Sequence, residues 1–173
     1  VRADAQRNRA RILDAAEQVF AAEGAGASTE EVARLAGVAI GTVFRHFPAK
    51  DDLLTAIMKR LLARLIEQAG ALSGADGLFT FFTELVSQAA QQRTVITLTG
   101  VDLGAAMGAL DEAVGRLLGE AQAAHAVRAE LGLSEVMALL TSLCAGALRG
   151  GWGSALQHRT LAVVFAGMKG TRG

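Results

Sequence analysis

Residues 28–47 read STEEVARLAGVAIGTVFRHF, and their spacing is that of two short helices meeting at a sharp corner. Ser28 stands three residues before Glu31, the spacing of a reciprocal capping box, in which a hydroxyl and a carboxylate satisfy the free N–H groups that open a helix. Val32, Ala33, Leu35 and Ala36 of the first helix would then face inward. Two helices that turn sharply into one another need a small residue where their axes approach, and Ala33 meets that need. They also need a residue that accepts positive φ at the corner; Gly37, four residues on, has no Cβ to oppose it. Val38 and Val43 supply apolar anchors on either side. A second helix, about Gly41 to Phe47, would present its remaining face outward, which makes DNA the first partner to consider.

The rest of the chain is compatible with that reading. Hydrophobic residues make up 51% and charged residues 20% of 173, a globular rather than disordered composition with ample length for one domain or two small ones. Seventeen basic residues balance seventeen acidic ones, which argues against non-specific coating of nucleic acid. Distribution matters more. Arg2, Arg7, Arg9 and Arg11 crowd the first eleven residues, a placement suited to a phosphate-facing arm. The single cysteine, Cys144, excludes an internal disulfide and any multi-cysteine zinc site. It sits on an apolar stripe, where a thiol serves as a small hydrophobe. With no secretory signal and no run near the roughly 18 unbroken apolar residues of a membrane span, a cytoplasmic setting is expected.

Every periodic segment repeats at helical spacing. The expected helices run from about Gln6 to Ala22, then through residues 28–47, then Ala49 to Ala69 with Leu54, Ile57, Leu61 and Leu65 inward. Pro48 cannot continue one helix but can begin the next. A fifth helix ends near Gln92. Residues 93–106 read as frayed helix and loop, since an isolated strand there would lack a partner. Further helices are expected at Met107–Ala124, Ser134–Leu148 and Thr160–Met168.

Residues 6–60 resemble the DNA-binding domain of the tetracycline-repressor (TetR) family of bacterial regulators. RNRARILDAAEQVFAAEG is similar to that family's first helix, STEEVARLAGV to its second helix and turn, and AIGTVFRHFPAKDDLL to its recognition helix and the start of its fourth. The His46-Phe47-Pro48-x-Lys50 continuation makes the match more specific than a bare helix-turn-helix. By that resemblance, Ser28 and Thr29 bond phosphates, Ile40, Gly41 and Thr42 face base edges, and Ile40 can meet thymine methyls. Arg45 is suited to guanine O6 and N7, His46 projects from the same helix, and Lys50 pairs with a phosphate. Arg7, Arg9 and Arg11 would reach the backbone or minor groove as an arm. Phe44 stands where the family usually has tyrosine, so a hydroxyl that donates to phosphate is missing and the contact is either lost or reduced to packing against the sugar.

Together these readings predict an all-α protein without cofactor or metal. Residues 1–48 form a three-helix DNA-binding domain of the helix-turn-helix type, and residues 49–173 a helical regulatory and dimerisation domain. The expected function is that of a homodimeric repressor, released from a palindromic operator by a small-molecule effector. No membrane partner and no enzymatic activity are expected. Leu139, Leu140, Leu143, Leu161, Val164 and Phe165 mark the apolar stripes for a dimer interface. Phe79, Phe82, Met107, Leu110 and Trp152 are candidates for a ligand pocket, in competition with simple core roles. A helical protein-interaction module would not need Thr42, Arg45 and Lys50 on one exposed face. A small helical enzyme would need a clustered nucleophile, base or metal set, and none stands out; His125 and His158 are isolated, and Asp111, Glu112 and Glu120 read as a solvated face.

Overall fold

The computed structural model describes residues 2–91 and 104–169, and these are all-α, with no strand among them. Eight helices follow in order: α1 (Arg2–Glu23), α2 (Thr29–Ala36), α3 (Ile40–His46), α4 (Lys50–Ala71), α5 (Gly77–Gln91), α6 (Gly104–Ala123), α7 (Leu133–Gly150) and α8 (Ser154–Met168). Two compact units divide within α4, between Leu61 and Leu62. The loop expected over 93–106 lies outside the described residues as far as 103, and α6 begins at Gly104.

In the first unit, α1, α2, α3 and the start of α4 enclose one apolar core. Ile12, Ala16 and Phe20 of α1 meet Val32 of α2, Val43 of α3 and Leu53 of α4, each at most 1% exposed. α1 begins four residues earlier than its apolar stripe implies, because Arg2, Ala3 and Ala5 are good helix formers and Asp4 suits a helix's first turn. The expected arginine arm is therefore helix. In α2, Leu35 points out, 44% exposed, while Val32, Ala33 and Ala36 are buried. An eight-residue helix needs only a narrow buried stripe, and Leu35 lies off it. On α4 the buried residues are Leu53, Ile57, Leu62, Leu65 and Ala69, with Leu54 and Leu61 half-buried at the margin. Pro48 stays ahead of the helix, which is opened by the Asp52 carboxylate accepting the Ala49 N–H at 2.9 Å. Arg60 of α4 reaches Asp14 (2.6 Å) and Glu17 (3.5 Å) of α1; at this exposure such pairs fix orientation more than they add stability.

In the second unit, α5 packs against α6, α7 and α8. Phe81 and Phe82 are fully buried, as are Val114, Leu117 and Ala121 of α6. Arg116 caps the end of α4, donating to the Ala69 carbonyl at 2.6 Å and the Leu72 carbonyl at 3.1 Å. Its partner Glu120 accepts the Gly74 N–H at 2.7 Å, and this bond and Arg116 together hold the Glu120 carboxyl below its ordinary value. The Arg128 N–H donates to the Met168 carbonyl at 3.0 Å, tying the α6–α7 connection to the end of α8. α7, of mean hydropathy 1.2, is long and apolar enough to cross a membrane by length and composition alone. Its Val136, Leu140, Leu143 and Ala147 lie in the core of this unit, a role that accounts for their apolarity.

Burial pushes the Cys144 thiol up to about 11. Alkylation by iodoacetamide at pH 8 should therefore run roughly a hundredfold slower than for the unfolded chain, in proportion to the thiolate present. Equal rates, followed by mass spectrometry, would show that the thiol is not desolvated. Phe82→Ala should cost about 3–5 kcal/mol, read from the shift in a urea unfolding midpoint; a shift of less than a third of that would place Phe82 outside the core.

Candidate nucleic-acid interface

The corner between α2 and α3 is built on backbone hydrogen bonds. Gly37 takes φ 64, ψ 40, in the left-handed region. Its N–H donates to the Arg34 carbonyl at 3.2 Å, and the Val38 N–H donates to the Ala33 carbonyl at 3.1 Å, so two of the four free carbonyls at the end of α2 are satisfied by the turn itself. Arg11 of α1, 26 residues away in sequence, donates through Nη2 to the Gly37 carbonyl at 3.4 Å. No local pattern in the sequence signals that contact.

At the start of α2, Ser28 Oγ accepts the Glu31 N–H at 3.2 Å, the first half of the expected capping box. The second half does not form. Arg34 holds the Glu31 carboxylate through Nε at 2.8 Å and through Nη2, and keeps it below its usual value. An i,i+3 ion pair along the helix has won over the reach back to Ser28. The Ser28 hydroxyl donates instead to Glu30 Oε2 at 2.9 Å. With its own backbone N–H as the larger cause and Ser28 as the next, the Glu30 carboxyl is lowered. A phosphate approaching Ser28 must therefore displace this carboxylate, which the half-buried Thr29 side chain also bonds.

α3 is seven residues long and is preceded by Ala39, which caps it with its backbone carbonyl alone; the Thr42 N–H donates to that carbonyl at 2.8 Å. Val43 (1% exposed) and Phe47 (4%) hold the helix on the core. On the far side stand Ile40, Gly41, Phe44 and Arg45, all exposed, while Thr42 and His46 are half-buried at the edges. Positions 40 and 44, and 41 and 45, are one turn apart, so these four make one surface. Lys50 is half-buried with its ammonium 5.4 Å from the centre of the Phe20 ring.

The arginines expected as an arm occupy fixed places on α1. Arg7 pairs with Asp4, Arg9 lies over the Phe47 ring at 5.1 Å, and Arg11 holds the Gly37 turn. Arg9, His46, Lys59 and Arg60 line an open cleft of about 620 Å³ with Leu13, Phe47 and Pro48. Nothing in the sequence pattern groups these residues, since they come from three separate elements.

The expected ligand and interface residues are divided differently. Phe79 and Phe82 meet Phe165 edge-on, with ring centroids at 4.8 and 6.1 Å. Phe165 thus faces α5 rather than an open surface. Leu110 is buried and Met107 is 40% exposed. Trp152 folds back onto α7, where its indole occupies the space that side chains on Gly146 and Gly150 would take. Leu140, Leu143 and Leu161 are at most 8% exposed within this unit, Leu139 and Val164 are half-buried, and α8 leaves Leu156 and Val163 bare instead. Helical periodicity identifies the stripe that the chain covers for itself. Among the described residues no three His, Cys, Asp or Glu side chains gather as a metal site.

A short helix held on a core by two apolar residues, with a polar and apolar face left open beside a tight glycine turn, defines a helix-turn-helix regulator. Residues 12–57 match the family described as bacterial regulatory proteins, tetR family, and residues 73–170 match the C-terminal domain of SbtR-like transcriptional regulators. The chain belongs to the tetR family, whose members are transcription regulators and not enzymes. It is 35% identical to a TetR transcription regulatory protein from Mycobacterium vanbaalenii, covering 98% of this chain and 99% of that one with a TM-score of 0.74. The TetR transcriptional regulator SCO0520 of Streptomyces coelicolor is 28% identical, with 94% and 99% covered and a TM-score of 0.68. The regulator SrpR of Pseudomonas putida is 44% identical over 57 residues, 32% of this chain and 27% of SrpR. Among the curated relatives, the matched segment spans 27% of SrpR, 42% of TtgW of Pseudomonas putida and 50% of UidR of Escherichia coli.

Gly37→Ala places a Cβ in the left-handed region and 2.8 Å from Arg11 Nη2. The side chain of Arg11 can swing away, so the backbone term dominates, and a loss of about 1–2 kcal/mol is expected in thermal or urea unfolding. Gly37→Asn should lose less, because asparagine tolerates that conformation; equal losses would point to the arginine clash instead.

Proposed function

We propose that this chain is a cytoplasmic homodimeric repressor that reads a palindromic DNA operator with α3 and leaves it when a small molecule binds the helical regulatory part. The observation that carries the reading is the open face of α3: Ile40, Gly41, Phe44 and Arg45 are exposed on a helix that Val43 and Phe47 hold rigidly on the core. Such a helix fits the major groove, and Gly41 lets its backbone come close to base edges. Arg45 offers two parallel donors for guanine O6 and N7. Thr42 and His46, at the edges of that face, reach the groove walls, while Thr29, Lys50 and the backbone N–H groups at the start of α2 take phosphates. The hydroxyls of Ser28 and Thr29 are freed for this once Glu30 is displaced. Arg9, held over Phe47, meets the backbone from a helix rather than from an arm. Residues 1–48 then form the reading domain and 49–173 the regulatory one.

A single seven-residue helix discriminates only a few base pairs. Pairing two copies about a two-fold axis squares that discrimination and explains a palindromic site. The bare side of α8 suits a second copy: Val163 is 74% exposed and Leu156 41%, and Ala166 and Gly167 beside Val163 allow close approach. Release follows if an effector, housed near the Phe79–Phe82–Phe165 cluster, binds best to a dimer whose two α3 helices are wrongly spaced for DNA. Repression is lifted only as far as its affinities for the two states differ.

Binding to a palindromic fragment from the region upstream of the protein's own gene should weaken steeply with salt. Arg45→Ala should cost about 1–3 kcal/mol and relax the base preference at one position per half-site; with Thr42→Ala added, specific binding should be lost. Unchanged affinity in the double variant, measured by fluorescence anisotropy, would remove these residues from the interface. Val163→Arg should shift sedimentation toward the monomer, and a persisting dimer would place the axis elsewhere.

A further inference from the structure

We infer that Ile40 and Phe44 together form an apolar ridge that reads thymine 5-methyl groups, so that each half-site carries T·A steps beside the guanine met by Arg45. The inference rests on the DNA reading above and deepens it to the chemistry of the preferred bases. Two large hydrophobic side chains are left bare on α3, Ile40 at 37% and Phe44 at 43% exposure, although its apolar anchors Val43 and Phe47 are almost wholly covered. They are four residues apart, so they stand side by side on the same face, flanked by Gly41 and Arg45. A Cβ built on Gly41 would meet no atom within 4 Å, so nothing of the protein stands over that face there.

The chemistry of these two side chains leaves one base feature for them. Neither carries a donor or an acceptor, so neither can read the polar edges of a base. In the major groove the thymine methyl is the apolar group that base edges display, and it lies toward the backbone of its own strand. A ring packed along the sugar, as Phe44 would be, therefore reaches the methyl as well. Set against cytosine or guanine, the same ridge would strip water from an amino group or a carbonyl and return no hydrogen bond. The ridge thus favours thymine and disfavours G·C by separate physical effects. A tyrosine at position 44 would direct its hydroxyl to phosphate and add affinity of the same size for every sequence. Phenylalanine keeps the apolar contact alone.

The test starts from 30-base-pair duplexes selected by the full chain from a random-sequence pool. The best duplex is then resynthesised with deoxyuridine in place of each half-site thymidine in turn, which deletes only the methyl. Affinity should fall roughly fourfold for each contacted methyl, the value of one buried methyl group. For Ile40→Ala and Phe44→Ala, each with unchanged circular dichroism, the thymine and uracil duplexes should bind equally at the position that the missing side chain covers. Phe44→Tyr should tighten both duplexes alike and leave their ratio as in the parent. Equal binding of thymine and uracil duplexes by the unaltered chain overturns the methyl reading while leaving DNA recognition intact, as would a selected half-site without thymine. A pool that yields no preferred sequence overturns both.

Discussion

At Gly37 the backbone bends into a conformation that a side chain opposes, and the geometry of the reading unit follows from that bend. With φ at 64, the N–H groups of Gly37 and Val38 turn back onto the Arg34 and Ala33 carbonyls of α2, so the turn itself pairs two of the groups that the helix end leaves free. The chain leaves the corner with Val38 against the core and sets Ala39 to open α3. Only then can Val43 and Phe47 reach the apolar interior, and only then does the opposite face of α3 stand clear. The Arg11 guanidinium adds a restraint from α1 across the turn. A seven-residue helix has little stability of its own, since nucleating a helix is costly and few bonds follow. Its orientation is therefore set by its anchors and its corner.

The second unit is held by a different balance. Aromatic and branched residues of α5 fill its centre, and polar links sit at the helix ends, where unpaired backbone groups need partners. Arg116 and Glu120 supply them for the end of α4 and for Gly74. Glycines that look like interruptions in sequence have a packing reason on α7, where Trp152 occupies the space over Gly146 and Gly150. A glycine-rich all-helical protein is thus reconciled with close packing at that point.

Local chemistry made much of this legible in advance. Ser28 caps α2 and Gly37 turns the chain, because each depends on neighbours within four residues, and the apolar character of Val43 and Phe47 marks them as anchors of α3 on the core. Legibility failed where competing local choices were close in energy or where the partner was distant. Glu31 had two partners within reach and took Arg34 over Ser28. Leu35 lies on the margin of its apolar stripe and faces out, and Leu54 and Leu61 yield the inner positions on α4 to Leu53 and Leu62. The first arginines continue a helix where an arm was expected, since nothing in their own sequence opposes it.

From the sequence alone, the helices, the corner at residues 33–38 and the residue types on α3 can be read, because all depend on short-range spacing, and the motif they form resembles one family. Tertiary structure decided which apolar residues remain uncovered. Leu140, Leu143, Leu161 and Phe165 have the periodicity of an interface yet are taken up by the unit's own packing, while Val163, Ile40 and Phe44 are left in water. Periodicity reports only that a face is apolar. Whether the chain covers that face itself or leaves it for a partner depends on residues far away in sequence.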